Sequence, residues 1–402
     1  MMLETGDSQR SAHLGSSSGG RLPRRVVFCT NFLPPYRLAS LKMLTDAFQA
    51  FTVLVSTKME EDRPWRADWS GLSVILQHSI SIKTSTRHPH GFNERLVVHI
   101  PYDTTLLLRR LRPDVVISAE LGVRSVLSAL YCAVVPSCHL VIWADLSEIS
   151  EKGRGSVRIW LRRWLIRHAR AVVVNGASGR RYVEALGGPS ERIHAVPYTT
   201  DVELFLQQPI VRQPAVRRRL LCVGQLIPRK GIFSFLAACT CWCEQHRSRT
   251  LEILIVGDGE LWSVLESLQP PDNMSIRLEH ATRYSDTPGV YQRAGVLVLP
   301  TLADTWALVV NEAMAAGLPI LGSVYSQAVD EMVVDGVNGW RFRSDDAEDS
   351  YRALCRVMDC SDERLAAMGK CARETASAIR PEFVASLVTQ VIESVCHGRA
   401  AI

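Results

Sequence analysis

Short hydrophobic runs alternate with amphipathic segments of helical length along most of this 402-residue chain. Helical patterns separate several of the runs in the first half, notably Tyr102–Leu111 and Val157–His168. Strands that alternate with helices are typical of a doubly wound parallel sheet, an α/β architecture. The runs predicted as buried strands in this half are Arg25–Thr30, Phe51–Val55, Ser73–Leu76, Asp114–Ser118, Leu140–Trp143 and Ala171–Asn175.

The same pattern starts again after a polar, proline-containing segment, Gln207–Val216. The second half is predicted to contain strands Leu220–Val223, Leu251–Val256, Ile276–Glu279, Val296–Leu299 and Pro319–Gly322, and helices Ile232–Glu244, Leu261–Leu268, Leu308–Ala316 and Glu348–Met358. Ligands of such sheets bind beyond the carboxyl ends of the strands, so the cleft between two domains is the predicted site. We expect a tail at 1–24, a first domain at 25–205, a linker at 206–217, a second domain at 218–380, and a helix within 381–402 that can pack back on the first domain.

Composition and charge change this picture little. The net charge of +5 suits an anionic ligand or a membrane surface, but also an ordinary enzyme. The first 24 residues are rich in Ser, Gly and Arg, which predicts a disordered tail and not a secretory signal. The stretch Ser125–Ala144 is as long as a membrane span, but Pro136 and His139 interrupt it, so we expect a helix followed by a strand.

The cysteines are scattered and odd in number, eleven in all. Without a secretory signal they predict no disulfide framework and a reducing, cytoplasmic compartment. Cys239, Cys241 and Cys243 suggest a metal site at first sight. They lie in a helical pattern, in which residues two apart point to different sides, so we interpret them as core or surface residues.

Two acids lie around a predicted helix start in the second domain. The strand Val296–Leu299 leads through a loop to a helix that we expect to begin near Trp306. Free N–H groups and the positive dipole end of a helix start suit a phosphate or diphosphate. Asp304 and Glu312 can then accept hydrogen bonds from hydroxyl groups on either side, which is the layout of a nucleotide sugar. The alternative is a capping Asp with a solvent-facing Glu.

A second motif, Leu221–Gly231, lies at the same edge of the predicted sheet. Gly224 permits a tight turn and close backbone approach. Arg229 and Lys230 oppose the dipole of the helix that we expect them to open, and they become favourable when an anion binds between them. The alternative is a solvated turn. A third motif, Gly257-Asp-Gly259, is an incomplete dinucleotide fingerprint and is interpreted as a structural turn near the nucleotide base.

Together these motifs resemble the retaining glycosyltransferases of family 4, whose GT-B fold has two Rossmann-like domains facing a cleft. The family pattern P-S-x-x-E-x-F-G-L-V-x-x-E-A-M-A-x-G-x-P is similar to Pro300–Pro319. G-R-L-x-x-x-K-G is similar to Gly224–Gly231, and V-I-P-N-G-V-D-x-x-x-F to Val196–Phe205. The resemblance covers the second domain nearly end to end and the first more weakly.

The resemblance implies a role for each matching residue. Lys230 would hold the diphosphate, Glu312 the ribose hydroxyls, and Asp304, in place of the family's first Glu, would contact the donor sugar as a catalytic residue. It also implies no cofactor and no metal, and an acceptor that attacks from the side on which the leaving group departs. The implied donor-binding set is Gly224, Gln225, Arg229, Lys230, Ala307, Leu308, Val309 and Glu312, with the backbone amides of residues 307–309 at the diphosphate.

Some positions depart from the family pattern. Gln225 stands where the family has a phosphate-binding Arg, for which Arg229 is a candidate substitute. Ala307 adds a methyl group where the family has Gly beside the phosphate. Gly295 replaces an Asp, and Ser326–Ala328 replaces an often Gly-rich loop. Because of these departures, a non-catalytic sugar-nucleotide-binding protein stays open as an alternative, as does a sugar-nucleotide epimerase.

The first domain offers fewer candidate residues. Many relatives have a His near the end of the strand that Leu140–Trp143 resembles, where this chain has Ala144-Asp145. Asp145 is therefore a candidate catalytic residue, or alternatively a loop residue or helix cap. The segment Pro34–Arg37 follows the first strand and can line the acceptor, approach phosphate or form a turn.

The segment Arg158–Arg170 combines tryptophans with arginines. On a helical wheel Trp160, Leu161, Trp164 and Leu165 share one side, and the arginines take most of the other. A basic amphipathic helix can lie on an anionic membrane, and the alternative is a core-packing helix with a solvated Arg face.

The sequence thus predicts a cytoplasmic, metal-independent, retaining glycosyltransferase, with peripheral contact to the inner membrane face as an open addition. It would move a sugar from a nucleotide-diphosphate sugar to a saccharide or lipid-linked acceptor in polysaccharide or glycolipid assembly. No nucleic-acid partner is expected.

Overall fold

The structure is a computed structural model that describes residues 21–60, 63, 65 and 67–397. Its strands are β1 Leu22–Thr30, β2 Phe48–Val55, β3 Ser73–Leu76, β4 Ser79–Arg87, β5 Asn93–Pro101, β6 Val115–Ala119, β7 His139–Ala144, β8 Ala171–Val174, β9 Ile193–Ala195, β10 Leu220–Val223, β11 Leu251–Val256, β12 Met274–Glu279, β13 Val296–Leu299, β14 Ile320–Ser323 and β15 Gly339–Phe342. Its helices are α1 Leu38–Ala47, α2 Thr104–Leu111, α3 Val123–Val134, α4 Ser156–His168, α5 Ala177–Ala185, α6 Val202–Leu206, α7 Ile232–Gln245, α8 Trp262–Glu266, α9 Thr287–Gln292, α10 Val309–Ala315, α11 Gln327–Met332, α12 Ala347–Met358, α13 Asp362–Ser377 and α14 Pro381–His397.

Two parallel sheets organise the chain, as the alternating pattern predicts. The first has the strand order β3-β2-β1-β6-β7-β8-β9 and the second β12-β11-β10-β13-β14-β15. Strands such as β8 and β13 are unbroken apolar runs because helices cover both faces of each sheet, whereas the edge strands β3 and β12 are partly exposed. The strand order reverses between β1 and β6 in the first sheet and between β10 and β13 in the second. Ligands bind at such switch points, beyond the carboxyl ends of the strands. The two-domain α/β fold is confirmed.

The amino end of the described chain differs from the prediction. Leu22–Arg24 belong to β1, in which Leu22 pairs with Phe48, so the predicted tail extends too far. An apolar Leu within a basic segment was a weak signal for a strand. Residues 1–20, on which the rest of that prediction falls, lie outside the described residues.

An antiparallel hairpin of β4 and β5 is also absent from the prediction. Most of β4 is exposed, and its side chains are largely Ser, Thr and two isolated Ile residues. A strand exposed on both faces lacks the apolar pattern by which buried strands are recognised.

The boundary between the domains lies earlier than residue 205. Val202 and Phe205 of α6 are buried in the core of the second domain, where the Phe205 ring lies 5.6 Å from that of Tyr291. The predicted linker is likewise packed on that domain. The buried guanidinium of Arg212 donates to the carbonyls of Ala294 at 3.0 Å and Ala316 at 2.6 Å.

The last helix returns to the first domain. Val384, Val388 and Ile392 of α14 are buried in the core that also contains Leu41 of α1. The chain therefore passes from one domain to the other twice, before α6 and between α13 and α14. The two passages touch, because the Thr199 hydroxyl donates to the carbonyl of Ile379 at 2.5 Å.

The uncharged stretch Ser125–Ala144 divides into the end of α3, a turn and β7. Within the described part of the chain, every helix is too short or too polar to cross a membrane. On α7, Cys239 and Cys243 are buried and Cys241 is exposed, so the three thiols do not share one face.

Candidate active site

A cavity of about 400 Å³ lies between the two sheets, and both domains line it. We call it the cleft cavity. Its second-domain wall comes from the turns that follow β10, β11 and β13, which are the carboxyl ends predicted to bind a ligand. The predicted donor-binding residues line it together with Asp304: Gly224, Gln225, Arg229, Lys230, Ala307, Leu308, Val309 and Glu312.

An ion-pair cluster occupies the centre of this wall. Lys230 Nζ lies 2.6 Å from Asp304 Oδ2, and an Arg229 nitrogen lies 3.3 Å from the same oxygen. Arg229 also donates to the carbonyl of Ala303 at 2.7 Å. Burial would raise the pKa of Asp304, but the two cations outweigh burial and lower this pKa to about 2. Asp304 is therefore a carboxylate at any physiological pH, and its two cations outnumber it.

The two cations do not open a helix, contrary to the prediction. They lie in a 3-10 turn, Pro228–Lys230, and α7 begins only at Ile232. Gly231, which lies between this turn and α7, has a φ of 64°, and a Cβ at Gly231 would lie 2.1 Å from the carbonyl oxygen of Pro300. The glycine thus lets the turn press against the loop after β13, which brings Lys230 to Asp304.

The loop before α10 also differs from the prediction. The helix begins at Val309 and not near Trp306, because Ala307 has a left-handed φ of 78°. This conformation costs a residue with a Cβ roughly 1–2 kcal/mol. Buried contacts hold it in place: the Trp306 indole donates to Asn311 at 2.8 Å, and the Ser326 hydroxyl donates to the Trp306 carbonyl at 2.6 Å. Ser326 is the cap residue of α11 and not part of an open loop.

Glu312 is buried at the far end of this wall. The Tyr291 hydroxyl donates to its Oε2 at 2.6 Å. Burial raises the pKa of Glu312 to about 7 in spite of that bond. The alternative of a capping Asp with a solvent-facing Glu is wrong, because Glu312 is buried and no side chain caps α10. The two acids differ in charge near neutral pH, since only Asp304 has cations beside it.

Two glycine turns, at Gly224 and Gly257, are also part of the second-domain wall. A Cβ on Gly257 would lie 1.8 Å from the Gly224 carbonyl oxygen, so the turns that contain them pack backbone against backbone. This contact makes Gly257-Asp-Gly259 a structural turn that also lines the cavity. The departure at Gly295 has a similar cause, because a Cβ there would lie 1.8 Å from the carbonyl oxygen of Arg217.

Asp145 lies at the end of β7, on the first-domain side of the cleft. Arg37 donates to its Oδ2 at 2.6 Å. The Arg37 side chain is buried over the rings of Trp143 and Tyr198, at 5.2 and 4.9 Å. Asp145 is thus fixed by a buried cation, and it caps no helix, as α4 begins only after Gly155.

The first-domain wall of the cleft cavity is aromatic. Tyr36, within the predicted segment Pro34–Arg37, lies with its ring 5.5 Å from that of Trp65 and 6.0 Å from that of Tyr198. All three line the cavity. Rings of this kind suit the apolar faces of sugars.

Sequence reasoning missed the contribution of the hairpin. His88 and Phe92 at its turn line the cavity. His90 contacts the second domain through its ring nitrogen, 2.8 Å from the carbonyl oxygen of Leu302. A sequence signal for this turn was His88-Pro-His-Gly91, in which Gly91 has a φ of 84°.

Helix α4 divides differently from the helical wheel. Leu165 and Arg162 are buried, and Arg162 is paired with Glu151. Trp160 and Val157 are 66% and 78% exposed. The predicted grouping of Trp160 with Leu165 is therefore wrong, because Leu165 is buried in the core while Trp160 faces solvent.

Known protein families match most of the chain. A model described as "Glycosyl transferase 4-like domain" matches residues 33–199, and one described as "Glycosyl transferases group 1" matches residues 217–360. The two matches correspond to the two sheets.

Individual relatives agree. A UDP-Gal:alpha-D-GlcNAc-diphosphoundecaprenol alpha-1,3-galactosyltransferase of Escherichia coli is 25% identical over 63% of this chain and 68% of its own length. A putative colanic acid biosynthesis glycosyltransferase of Escherichia coli K12 is also 25% identical, over 48% of each chain, so the match spans about half of that relative.

Solved structures share the fold. HepE of Anabaena, solved in complex with UDP, superposes with a TM-score of 0.68 at 14% identity, over 92% of this chain and all of the other. Sucrose-phosphate synthase of Thermosynechococcus elongatus gives 0.70 at 15% identity, over 94% of this chain and all of the other.

Proposed function

Since the chain belongs to glycosyltransferase family 4, with the GT-B fold, we propose that it transfers a sugar from a nucleotide-diphosphate sugar with retention of configuration and without a metal. The acceptor would be a saccharide or a lipid-linked saccharide, in polysaccharide or glycolipid assembly. The observation that carries the proposal is the cluster of Lys230, Arg229 and Asp304 in the cleft cavity.

The cluster suits a donor with three parts. Lys230 and Arg229 exceed the charge of Asp304 by one, so an entering diphosphate meets an electropositive site. Lys230 then moves from the carboxylate to the diphosphate, and Asp304 turns to the hydroxyl groups of the donor sugar. Glu312, buried at the other end of this wall, accepts hydrogen bonds from the ribose hydroxyl groups.

The same groups account for leaving-group departure. Negative charge grows on the diphosphate as the bond to the sugar breaks, and positioned donors stabilise such charge. Lys230, Arg229 and the amides near Ala307 supply those donors from the protein itself. The acceptor would attack from this same face, with its sugar against Tyr36 and Trp65.

We also propose peripheral contact with an anionic membrane at its inner face. The solvent-facing side of α4 carries exposed Val157 and Trp160 beside exposed Arg163 and Arg167. Apolar side chains next to cations favour the interface of an anionic bilayer. Flotation with phosphatidylglycerol and with phosphatidylcholine vesicles tests this; binding that needs no anionic lipid, or that Trp160→Ser leaves unchanged, contradicts it.

The enzymatic proposal is tested by thermal shift with a panel of UDP-, GDP- and ADP-sugars. One donor should stabilise the protein, and Lys230→Ala should lose that shift while Lys370→Ala, on an exposed lysine of α13, keeps it. With that donor and a saccharide panel, the product should keep the donor's anomeric configuration by NMR, and EDTA should not slow transfer. Binding without transfer to any acceptor would support a non-catalytic protein, and conversion of the donor alone would support an epimerase.

A further inference from the structure

The first-domain sheet ends in a row of polar residues. Five neighbouring strands, β2, β1, β6, β7 and β8, are each followed at once by a polar side chain. In that order the residues are Ser56, Asn31, Glu120, Asp145 and Asn175. We call them the strand-end row. Neighbouring strands lie about 4.8 Å apart, so the row extends over roughly 19 Å along the cleft.

Glu120 has the most unusual backbone of the row. Its φ is 74°, in the left-handed region that residues with a Cβ rarely adopt. The conformation is held by hydrogen bonds on both sides, from the Glu120 N–H to the Trp143 carbonyl at 3.1 Å and from the Ser125 hydroxyl to the Glu120 carbonyl at 2.6 Å. Strain of this kind persists where the surroundings fix it, and it collects at binding and catalytic sites.

Asn31, which the buried Arg124 holds, orients the Glu120 carboxylate. The Asn31 side-chain amide donates to Glu120 Oε1 at 2.6 Å, and Asn31 Oδ1 accepts from Arg124 at the same distance. Arg124 is 3% exposed and also donates to Ser56 at 2.5 Å. Three members of the row are thus tied together by one buried guanidinium, which leaves the exposed carboxylate as the group that a ligand meets.

The other end of the row holds polar atoms that lack partners among the described residues. Asn175 is 2% exposed, and neither atom of its amide has a hydrogen bond. Asp145 uses Oδ2 for Arg37, and its buried Oδ1 has no partner. Buried polar groups are almost always paired, so such atoms point to a missing ligand or water.

Glu120 stands apart from the cleft cavity. No member of the row lines that cavity, but Tyr198 does, and its ring lies 4.9 Å from the guanidinium of Arg37, the partner of Asp145. The row therefore leads away from the place of transfer, by one strand from Asp145 to Glu120.

We propose that the strand-end row is a second acceptor subsite, in which Glu120, oriented by Asn31, binds the hydroxyl groups of the sugar next to the one that receives the transfer. The assignment rests on the proposed glycosyl transfer. The acceptor would then be an oligosaccharide or a saccharide chain.

The chemistry of the row also limits the second sugar. Its cations, Arg37 and Arg124, are buried and already bonded to members of the row. The exposed carboxylate can only accept hydrogen bonds. A neutral or amino sugar suits this subsite, and a phosphorylated or uronic sugar does not, because its negative charge would face the Glu120 carboxylate while Arg37 and Arg124 are already bonded to the row.

The test compares acceptors of different length in the full chain. Glycosides of single sugars and of matched disaccharides are assayed with the donor found by thermal shift. The wild type should prefer the disaccharide. Glu120→Gln should raise KM for the disaccharide and thereby lower kcat/KM about tenfold, because one hydrogen bond to a charged group is lost. The kcat/KM for the single-sugar glycoside should stay unchanged.

Two further variants guard the result. Glu120→Gly removes the carboxylate where glycine fits the backbone, so it should be at least as thermostable as the wild type and show the same loss. Glu266→Gln, on an exposed acid of α8, should behave as the wild type. Equal effects of Glu120→Gln on both acceptors, or no effect on either, would overturn the subsite.

The failure of the proposed function would look different. In that case no acceptor is glycosylated although the donor binds. The disaccharides are then titrated against the nucleoside diphosphate complex by isothermal calorimetry. Weaker binding to Glu120→Gln than to the wild type would still support the subsite, and equal or absent binding would overturn it.

Discussion

The two domains position the polar groups on their sides of the cleft by different means. In the second domain, glycine turns press backbone against backbone, and the charges of Lys230, Arg229 and Asp304 gather on them. On the first-domain side, the polar groups are side chains that directly follow the strands, and buried arginines hold them; they lie outside the lining of the cavity itself.

The difference matches what each wall has to recognise. A diphosphate is the common part of every nucleotide-diphosphate sugar, so a wall made of backbone and two cations can serve any donor of this class. Acceptors differ from one glycosyltransferase to another, and side chains at strand ends can change without altering the sheet. Each substitution below should therefore affect one wall and spare the other.

The largest effect is expected at the centre of the donor wall. Asp304→Asn leaves Lys230 and Arg229 without their buried carboxylate, which should cost about 3 kcal/mol of unfolding free energy. Transfer should fall about 100-fold, since a contact to the donor sugar is lost. Nucleoside diphosphate should bind more tightly, because Lys230 no longer has to leave an ion pair.

Denaturant unfolding, initial rates and isothermal calorimetry measure these three quantities. Asp272→Asn, on an exposed acid, is the matched control. Weaker diphosphate binding in Asp304→Asn would show that Lys230 does not exchange between the two partners.

The acceptor wall should respond to Asp145→Asn. We expect kcat/KM for transfer to fall about tenfold with the donor affinity unchanged, because Asp145 is held by Arg37 in a positioning role. A general base contributes roughly 10²–10⁴-fold. A loss of that size, with an altered pH profile, would make Asp145 the base. Rates at several pH values and donor titrations distinguish the two.

A pH dependence is expected at the ribose end of the donor wall. With a pKa of about 7, Glu312 is mostly protonated at pH 6, so the donor should bind about tenfold more weakly there than at pH 8. Glu312→Gln should bind weakly at both. Donor titrations at the two pH values measure this, and an equal pH dependence in the variant would assign the titration to another group.

The same residue gives stability the opposite trend. Its folded pKa lies above the ordinary value of 4.5, so the folded state binds the proton more tightly than the unfolded state does. The resulting stabilisation is fully present below pH 4.5 and is lost as the pH rises through 7. Comparison of wild-type and Glu312→Gln unfolding over this range isolates the contribution.

The smallest effect concerns the loop before α10. Ala307→Gly removes the cost of a left-handed alanine and should stabilise the protein by about 0.5–1 kcal/mol, after the added entropy of the unfolded chain. Ala366→Gly, within α13, should instead destabilise it by about 1 kcal/mol. A loss of stability in Ala307→Gly, by denaturant unfolding, would mean that the methyl group contributes packing that exceeds the strain.

The donor wall was more accessible to sequence reasoning than the acceptor wall. Lys230, Asp304 and Glu312 lie in short segments with a recognisable order of strand, turn and helix, and they meet in one cavity. The helix start was misplaced because nothing local predicts a left-handed Ala307. The roles of these residues in binding the donor stay predictions.

Glu120 and Asn31 escaped detection for a different reason. They are 89 positions apart and meet only because β1 and β6 are neighbours in the sheet. The hairpin of β4 and β5 escaped because solvent covers most of β4, so no buried-strand pattern marks the first of its two strands. Phe205 was assigned to the wrong domain since an apolar residue near a boundary does not say which core it joins.

The double passage of the chain between the domains also has a mechanical consequence. A single connection would allow rotation of the domains about several axes. Two connections that touch through Thr199 and Ile379 form a hinge with one axis. We expect domain motion to be limited to rotation about this axis, so that the two sides of the cleft return to the same relative position when it closes. Truncation after Ser377 would remove the second connection and the part of the first-domain core that α14 supplies. The protein would then lose stability and the relative orientation of its two domains.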